Sequence, residues 1–144
     1  MDYQESLNFT SLELDIVPSI LIVDDDEDNQ LLLQYTIAMF GWTSMVAADA
    51  TNAIQLANRQ QPDLILLDIV IPDISGLQIA AILKQQKATS SIPIIAVTGL
   101  AELKEKNLIL ASGFDDYICK PFILDKVYQA IASNLSFDNI SQTA

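Results

Sequence analysis

The chain has 144 residues, 51% of them apolar and 18% charged, which suits one domain with a real hydrophobic core and hardly two. Its formal charge is −12, from 19 acids against 7 bases, so it lacks the basic footprint that nucleic acid or an anionic membrane surface would require. It has no histidine, which excludes Ser-His-Asp catalysis, His-ligated zinc and histidine pH switching. The single cysteine, Cys119, permits no intramolecular disulfide and makes a reducing compartment the default. The opening residues lack the basic start and apolar run of a signal peptide, and no apolar stretch approaches the ~20 residues of a membrane span. The expectation is a soluble, cytoplasmic, acidic single domain over residues 19–135, flanked by an extension at 1–18 and a short polar tail at 136–144.

In the extension, Leu12, Leu14 and Ile16 alternate with Glu13 and Asp15. That period of two suits an added edge strand or a partner-docking segment; a loosely ordered terminal tail ending at Pro18 is the plainer alternative. Ile20-Leu21-Ile22-Val23 is a continuous β-branched run, as in a strand buried on both faces. Leu32, Tyr35, Thr36 and Met39 then recur at helical spacing and predict the inward stripe of a first helix, stopped by Gly41. Thr43–Ala47 is a weaker strand. Thr51–Gln60 reads as a helix with Ala53, Leu56 and Ala57 inward, ended by Pro62. Leu64–Leu67 is a third strand, and Leu77–Gln86 a helix with Ile79, Ile82 and Leu83 apolar. Pro93 precedes the strand Ile94–Val97. Ala101–Ser112 reads as a helix ended by Gly113, and Tyr117–Cys119 as a short strand. A last helix carries Leu124, Val127, Tyr128, Ile131 and Leu135.

Five strands alternating with five helices predict an α/β fold with a doubly wound parallel sheet, most simply in the order 2-1-3-4-5. Such sheets bind ligands beyond the carboxyl ends of their strands. The first strand runs into Asp24-Asp25-Asp26, the third ends in Asp68, the fourth in Thr98-Gly99 and the fifth in Lys120-Pro121. Neighbouring strands one and three bring Asp24, Asp25 and Asp68 together. Clustered carboxylates with no His or Cys nearby need a proton or a hard cation, Mg²⁺ or Mn²⁺. Lys120 and the Thr98 hydroxyl complement them, and together the set suits a phosphoryl group, with Asp68 placed to act as a carboxylate nucleophile. Taken singly, each feature has a plain structural reading: the acids as a helix N-terminus, Thr-Gly as a turn, Lys-Pro as a loop, Tyr117 and Cys119 as packing residues. Their order at successive strand ends favours the chemical one.

Four strings carry a resemblance: Ile-Leu-Ile-Val-Asp-Asp-Asp at 20–26, Leu-Ile-Leu-Leu-Asp-Ile-Val-Ile-Pro-Asp-Ile-Ser-Gly at 64–76, Ile-Ile-Ala-Val-Thr-Gly at 94–99 and Tyr-Ile-Cys-Lys-Pro-Phe at 117–122. In these the chain resembles the receiver domain of two-component response regulators, with the flavodoxin-like (βα)5 fold, over most of its length. The resemblance implies that Asp68 accepts a phosphoryl group from a phosphohistidine of a histidine kinase or histidine phosphotransfer protein. It implies that Asp25 binds Mg²⁺ directly and Asp24 largely through water, with Asp68 and the Val70 backbone carbonyl completing the protein ligands. Asp26 is a weaker candidate. Lys120 would pair with the phosphoryl oxygens, Thr98 would bind the phosphoryl group, and Tyr117 would swing inward as a switch. The Lys120–Pro121 peptide would be cis.

By the same resemblance, the readout surface for a downstream protein lies around the fourth helix, fifth strand and fifth helix, marked by Glu102, Lys104, Glu105, Lys106 and Tyr117. Kinase docking would use the first helix and the loop after Lys120, including Gln30, Gln34 and Phe122. Ile71 stands where many receivers carry Met. Val70 and Leu100 replace residues that are often polar, which implies slow self-dephosphorylation. No output domain is visible, so a stand-alone receiver, monomeric or dimerising on phosphorylation, fits best; a segment cut from a longer hybrid protein is the alternative. Three other readings stand beside it. In a haloacid-dehalogenase-type phosphohydrolase, Asp24 and Asp26 would be the catalytic pair, but Asp28 then occupies a Thr/Val position and Asp68 with its Pro72/Gly76 turn is unused. A receiver-shaped module that is never phosphorylated would leave the acid, Thr and Lys set unexplained. A flavodoxin-like flavin carrier would need a first loop rich in Ser, Thr and Gly rather than acids.

Overall fold

A computed structural model describes residues 17–71, 74–99 and 103–135, the last stretch with its side chains from residue 106. The expectations placed on Leu12–Ile16, Pro72, Leu100, Glu102, the side chains of Lys104 and Glu105, and residues 136–144 lie outside the described residues. Five strands, β1 (Ser19–Val23), β2 (Thr43–Ala47), β3 (Leu64–Asp68), β4 (Ile94–Thr98) and β5 (Asp116–Cys119), alternate with five helices. These are α1 (Glu27–Met39), α2 (Ala50–Gln60), α3 (Gly76–Gln85), α4 (Leu103–Ala111) and α5 (Leu124–Asn134). All strand pairs are parallel, in the order β2-β1-β3-β4-β5.

Each central strand is apolar on both sides because helices cover both faces. Leu21, Val23, Ile65, Leu67, Ile94 and Ala96 point into one core, shared with Ala53 and Ala57 of α2 and Ile79 and Leu83 of α3. Ile20, Ile22, Leu64, Leu66, Ile95 and Val97 point into the other, shared with Leu33 and Ile37 of α1 and Val127 and Ile131 of α5.

The stripe of α1 is displaced by one residue from the sequence expectation. Leu33, Thr36 and Ile37 are buried, whereas Leu32, Tyr35 and Met39 are exposed. Leu33, Thr36, Ile37 and Phe40 have the same spacing as the expected set, so periodicity could not separate the two. Buried Thr36 satisfies its hydroxyl on the Leu32 carbonyl at 2.8 Å. On α5, Val127, Ile131 and Leu135 are buried as expected, but Leu124 and Tyr128 are exposed and Ala130 is inward. Ile82 of α3 is only half-buried, and Ala80 fills the core instead. Tyr128 does not project alone: its ring stacks on Trp42 with centroids 5.6 Å apart and meets Phe40 edge-on at 4.8 Å, which ties α5 to the end of α1.

Helix ends follow local chemistry. Asp26 caps α1 by accepting from the Asn29 N–H, and Asp49 caps α2 from the Asn52 N–H. Gly41 and Gly113 follow α1 and α4 at φ of 86° and 102°, where other residues would be strained.

Candidate functional site

The parallel register builds the site. It pairs Ile20 with Leu64 and Val23 with Leu67, so one step further Asp24 lies beside Asp68. Both share the parity of Ile22 and Leu66 and leave the sheet on the same side; a slip of one residue would separate them. Asp24 and Asp68 are buried, and Asp25 is exposed at the rim. One carboxylate oxygen from each of Asp24, Asp25 and Asp68 lies within 4.8 Å of the other two.

These groups are held by their own loops. Asp24 Oδ1 accepts the Asp26 N–H at 2.9 Å, while its Oδ2 is buried without a hydrogen-bond partner. Burial raises the Asp24 carboxyl above the ordinary range; the Asp68 charge adds to this, and the Asp26 N–H and Lys120 oppose it. Asp68 Oδ1 accepts the Val70 N–H at 2.9 Å, and Oδ2 pairs with Lys120 Nζ at 3.0 Å. One ammonium does not balance three carboxylates. A donor set of oxygens only, with one buried oxygen unsatisfied, fits a hard divalent cation such as Mg²⁺.

Thr98 is buried at the end of β4, and its carbonyl accepts the Lys120 N–H at 2.8 Å. The Lys120–Pro121 peptide is cis. Val70 is 74% exposed, so its side chain stands at the mouth of the site while its N–H holds Asp68. Tyr117 lies apart from the acids, half-buried on β5, with Lys106 Nζ 5.2 Å from its ring centre.

Two contributions escaped the sequence reading. Gln30, expected on a docking surface, donates its side-chain N–H to the Asp24 carbonyl at 2.6 Å and so pins the acidic loop to α1. Gly76 must be glycine because a Cβ there would meet the Asp68 carbonyl oxygen at 2.5 Å and Ile69 Cα at 2.7 Å. Its place eight positions after Asp68 is no general signal; the close approach exists only once α3 packs on β3. Phe122, also expected in docking, packs against the core shared by α1 and α5, while Ile123 beside it and Leu124 at the start of α5 are exposed.

Residues 20–132 match the response regulator receiver domain. The chain belongs to that family. It is 35% identical over 117 residues to the polar-differentiation response regulator DivK of Brucella ovis, covering 81% of this chain and 95% of DivK. It is 33% identical over 129 residues to the DNA-binding dual master transcriptional regulator RpaA of Synechocystis and 40% identical over 103 residues to the alkaline phosphatase synthesis regulatory protein PhoP of Bacillus subtilis. It covers 89% and 72% of itself in these matches but spans only 54% of RpaA and 42% of PhoP. Among solved structures, a response regulator from Chloroflexus aurantiacus is 26% identical, with a TM-score of 0.78 over 81% of this chain and 96% of that one. The receiver domain of a Pseudomonas aeruginosa sensor histidine kinase, solved with a magnesium ion coordinated in its active-site cleft, is 28% identical, with a TM-score of 0.75 over 82% of this chain and 97% of that one. The protein is a two-component receiver: a phosphoacceptor signalling domain rather than a classical enzyme. Its acidic triad is of the kind that holds Mg²⁺ in receivers. Among the described residues, no helix is long and apolar enough to cross a membrane.

Proposed function

We propose that Asp68 is the phosphoacceptor and that Asp24, Asp25, Asp68 and the Val70 carbonyl are the Mg²⁺ ligands, with Mn²⁺ able to substitute. The observation that carries this reading is the meeting of three carboxylates with Lys120 Nζ, 3.0 Å from Asp68, at the ends of neighbouring strands. The cation supplies charge compensation for a phosphoryl group entering an acidic pocket. An Asp68 oxygen attacks the phosphorus of a phosphohistidine; a P–O bond forms, the P–N bond breaks, and the imidazole leaves with the electron pair. The chain has no histidine, so the donor is another molecule: a histidine kinase, a histidine phosphotransfer protein or a small phosphodonor.

In the acyl phosphate, Lys120 exchanges its Asp68 contact for a phosphoryl oxygen, and the Thr98 hydroxyl donates to another. Thr98 and Tyr117 form the switch that reports the change to a downstream protein on the α4–β5–α5 side. The receiver unit is residues 19–135, working in the cytoplasm as a monomer or as a phosphorylation-dependent dimer.

The test is intact mass after incubation with Mg²⁺ and acetyl phosphate, on the wild type and Asp68→Ala. One added phosphoryl group, lost in the variant and with EDTA, is the expected result. An equal gain in Asp68→Ala would remove Asp68 from its role.

A further inference from the structure

The outward face of α1 is apolar. Leu31, Leu32, Tyr35 and Met39 recur there at helical spacing and are exposed, Tyr35 to 72% and Met39 to 63%. None of the four belongs to either core. No charged residue stands between Asp28 and the end of the helix.

The chain enters the sheet at the Met39 end of this face. The Pro18 carbonyl accepts the Thr43 N–H at 3.0 Å and the Thr43 hydroxyl at 3.2 Å, and Thr43 follows the turn that closes α1. The residues before Pro18 include Leu12, Leu14 and Ile16, apolar at every second position with Glu13 and Asp15 between them. An added edge strand is out of their reach. Both sides of β1 are taken, by β2 and β3, and the free edge beyond β2 is two strand spacings away, about 9.6 Å. The two steps from Pro18 to Ile16 span at most about 7 Å, so residues 12–16 cannot pair along that edge.

We propose that residues 12–16 dock along α1 of the same chain, with Ile16 nearest Met39, Leu14 toward Tyr35 and Leu12 toward Leu31 and Leu32. The lengths agree. Extended, the segment from Leu12 to Ile16 covers about 13 Å, and α1 rises about 12 Å from Leu31 to Met39. Glu13 and Asp15 then face water, and the uncharged helix face sets no like charge against them. The short tether holds the segment at an effective concentration near millimolar, so a few apolar contacts suffice. A second copy lacks that advantage, and four side chains fall short of the ~800 Å² per partner of a stable interface. A protein approaching α1 has to displace the segment, so the extension shields this face; that role is additional to phosphoryl acceptance.

The experiment places p-benzoylphenylalanine at Leu14 of the full chain and irradiates it without phosphodonor. Products are sized by denaturing electrophoresis and mapped by peptide mass spectrometry. The expected product has the mass of one chain, forms in a yield independent of protein concentration, and joins residue 14 to α1 between Leu31 and Met39. Leu12→Ser with Ile16→Ser leaves the probe and its target intact and should cut the yield roughly tenfold, whereas Leu7→Ser with Phe9→Ser should leave it within about twofold. Matching melting curves keep misfolding from imitating the loss. A product of two-chain mass, cross-links confined to other elements, no product, or equal loss in both double variants overturns the proposal. No arm uses phosphoryl transfer, so such a failure leaves the role of Asp68 untouched.

Discussion

Asp24→Asn should make the metal-free protein more stable at neutral pH while abolishing its response to Mg²⁺. Asp24 is buried, and its carboxylate lies within 4.8 Å of the Asp68 carboxylate. Two unit charges at that distance repel by about 3.5 kcal/mol at an effective dielectric near 20. Lys120 offsets part of this, and asparagine keeps an oxygen for the Asp26 N–H, so a net gain of about 1–2 kcal/mol remains. For a domain of this size that is a rise in Tm of roughly 3–8 °C.

The pH dependence has a definite sign. The folded Asp24 carboxyl is raised above 3.8, so the folded state keeps a proton that the unfolded chain has released. That contribution is full below the ordinary carboxylate range and is lost as pH rises through the raised folded value. The advantage of Asp24→Asn is therefore largest at neutral pH and shrinks on acidification. Mg²⁺ at a hundred times its Kd should stabilise the wild type by about 2.7 kcal/mol and the variant far less. Thermal melts at several pH values, with and without Mg²⁺, measure all of this. A variant less stable than wild type at pH 7 without Mg²⁺, or equally responsive to it, would refute the electrostatic account.

Two further substitutions probe the loop after β3. Gly76→Ala forces a Cβ onto the Asp68 and Ile69 backbone and should cost about 1–3 kcal/mol, with weaker Mg²⁺ binding because Val70 and Asp68 shift together; denaturant melts and a Mg²⁺ titration read both effects. Val70→Asn places a polar group at the mouth of the site, where it can orient water, and should speed loss of the phosphoryl group severalfold in a time course of intact mass; an unchanged rate would remove Val70 from the control of phosphoryl lifetime.

The linear sequence determined the strand runs, the parallel order and the residues that end each strand. Those signals are local: β-branched apolar runs, Gly and Pro punctuation, and a change of residue type where a strand meets the pocket. The acids, Thr98 and Lys120 were legible for the same reason, since parallel strands of similar length bring their carboxyl ends to one edge. Which stripe of α1 faces the sheet was not legible. Leu31-Leu32-Leu33 starts competing stripes of the same period, and only docking against Ile20 and Ile22 selects Leu33. The acid run likewise divides its labour only in three dimensions: Asp24 turns into the pocket, and Asp26 turns back to cap α1. The demand for glycine at 76 and the hold of Gln30 on the Asp24 carbonyl arise from the packing of α3 on β3 and from the turn of α1, which no periodicity encodes. Local pattern sets what each segment can be; packing between segments decides which of its faces is used.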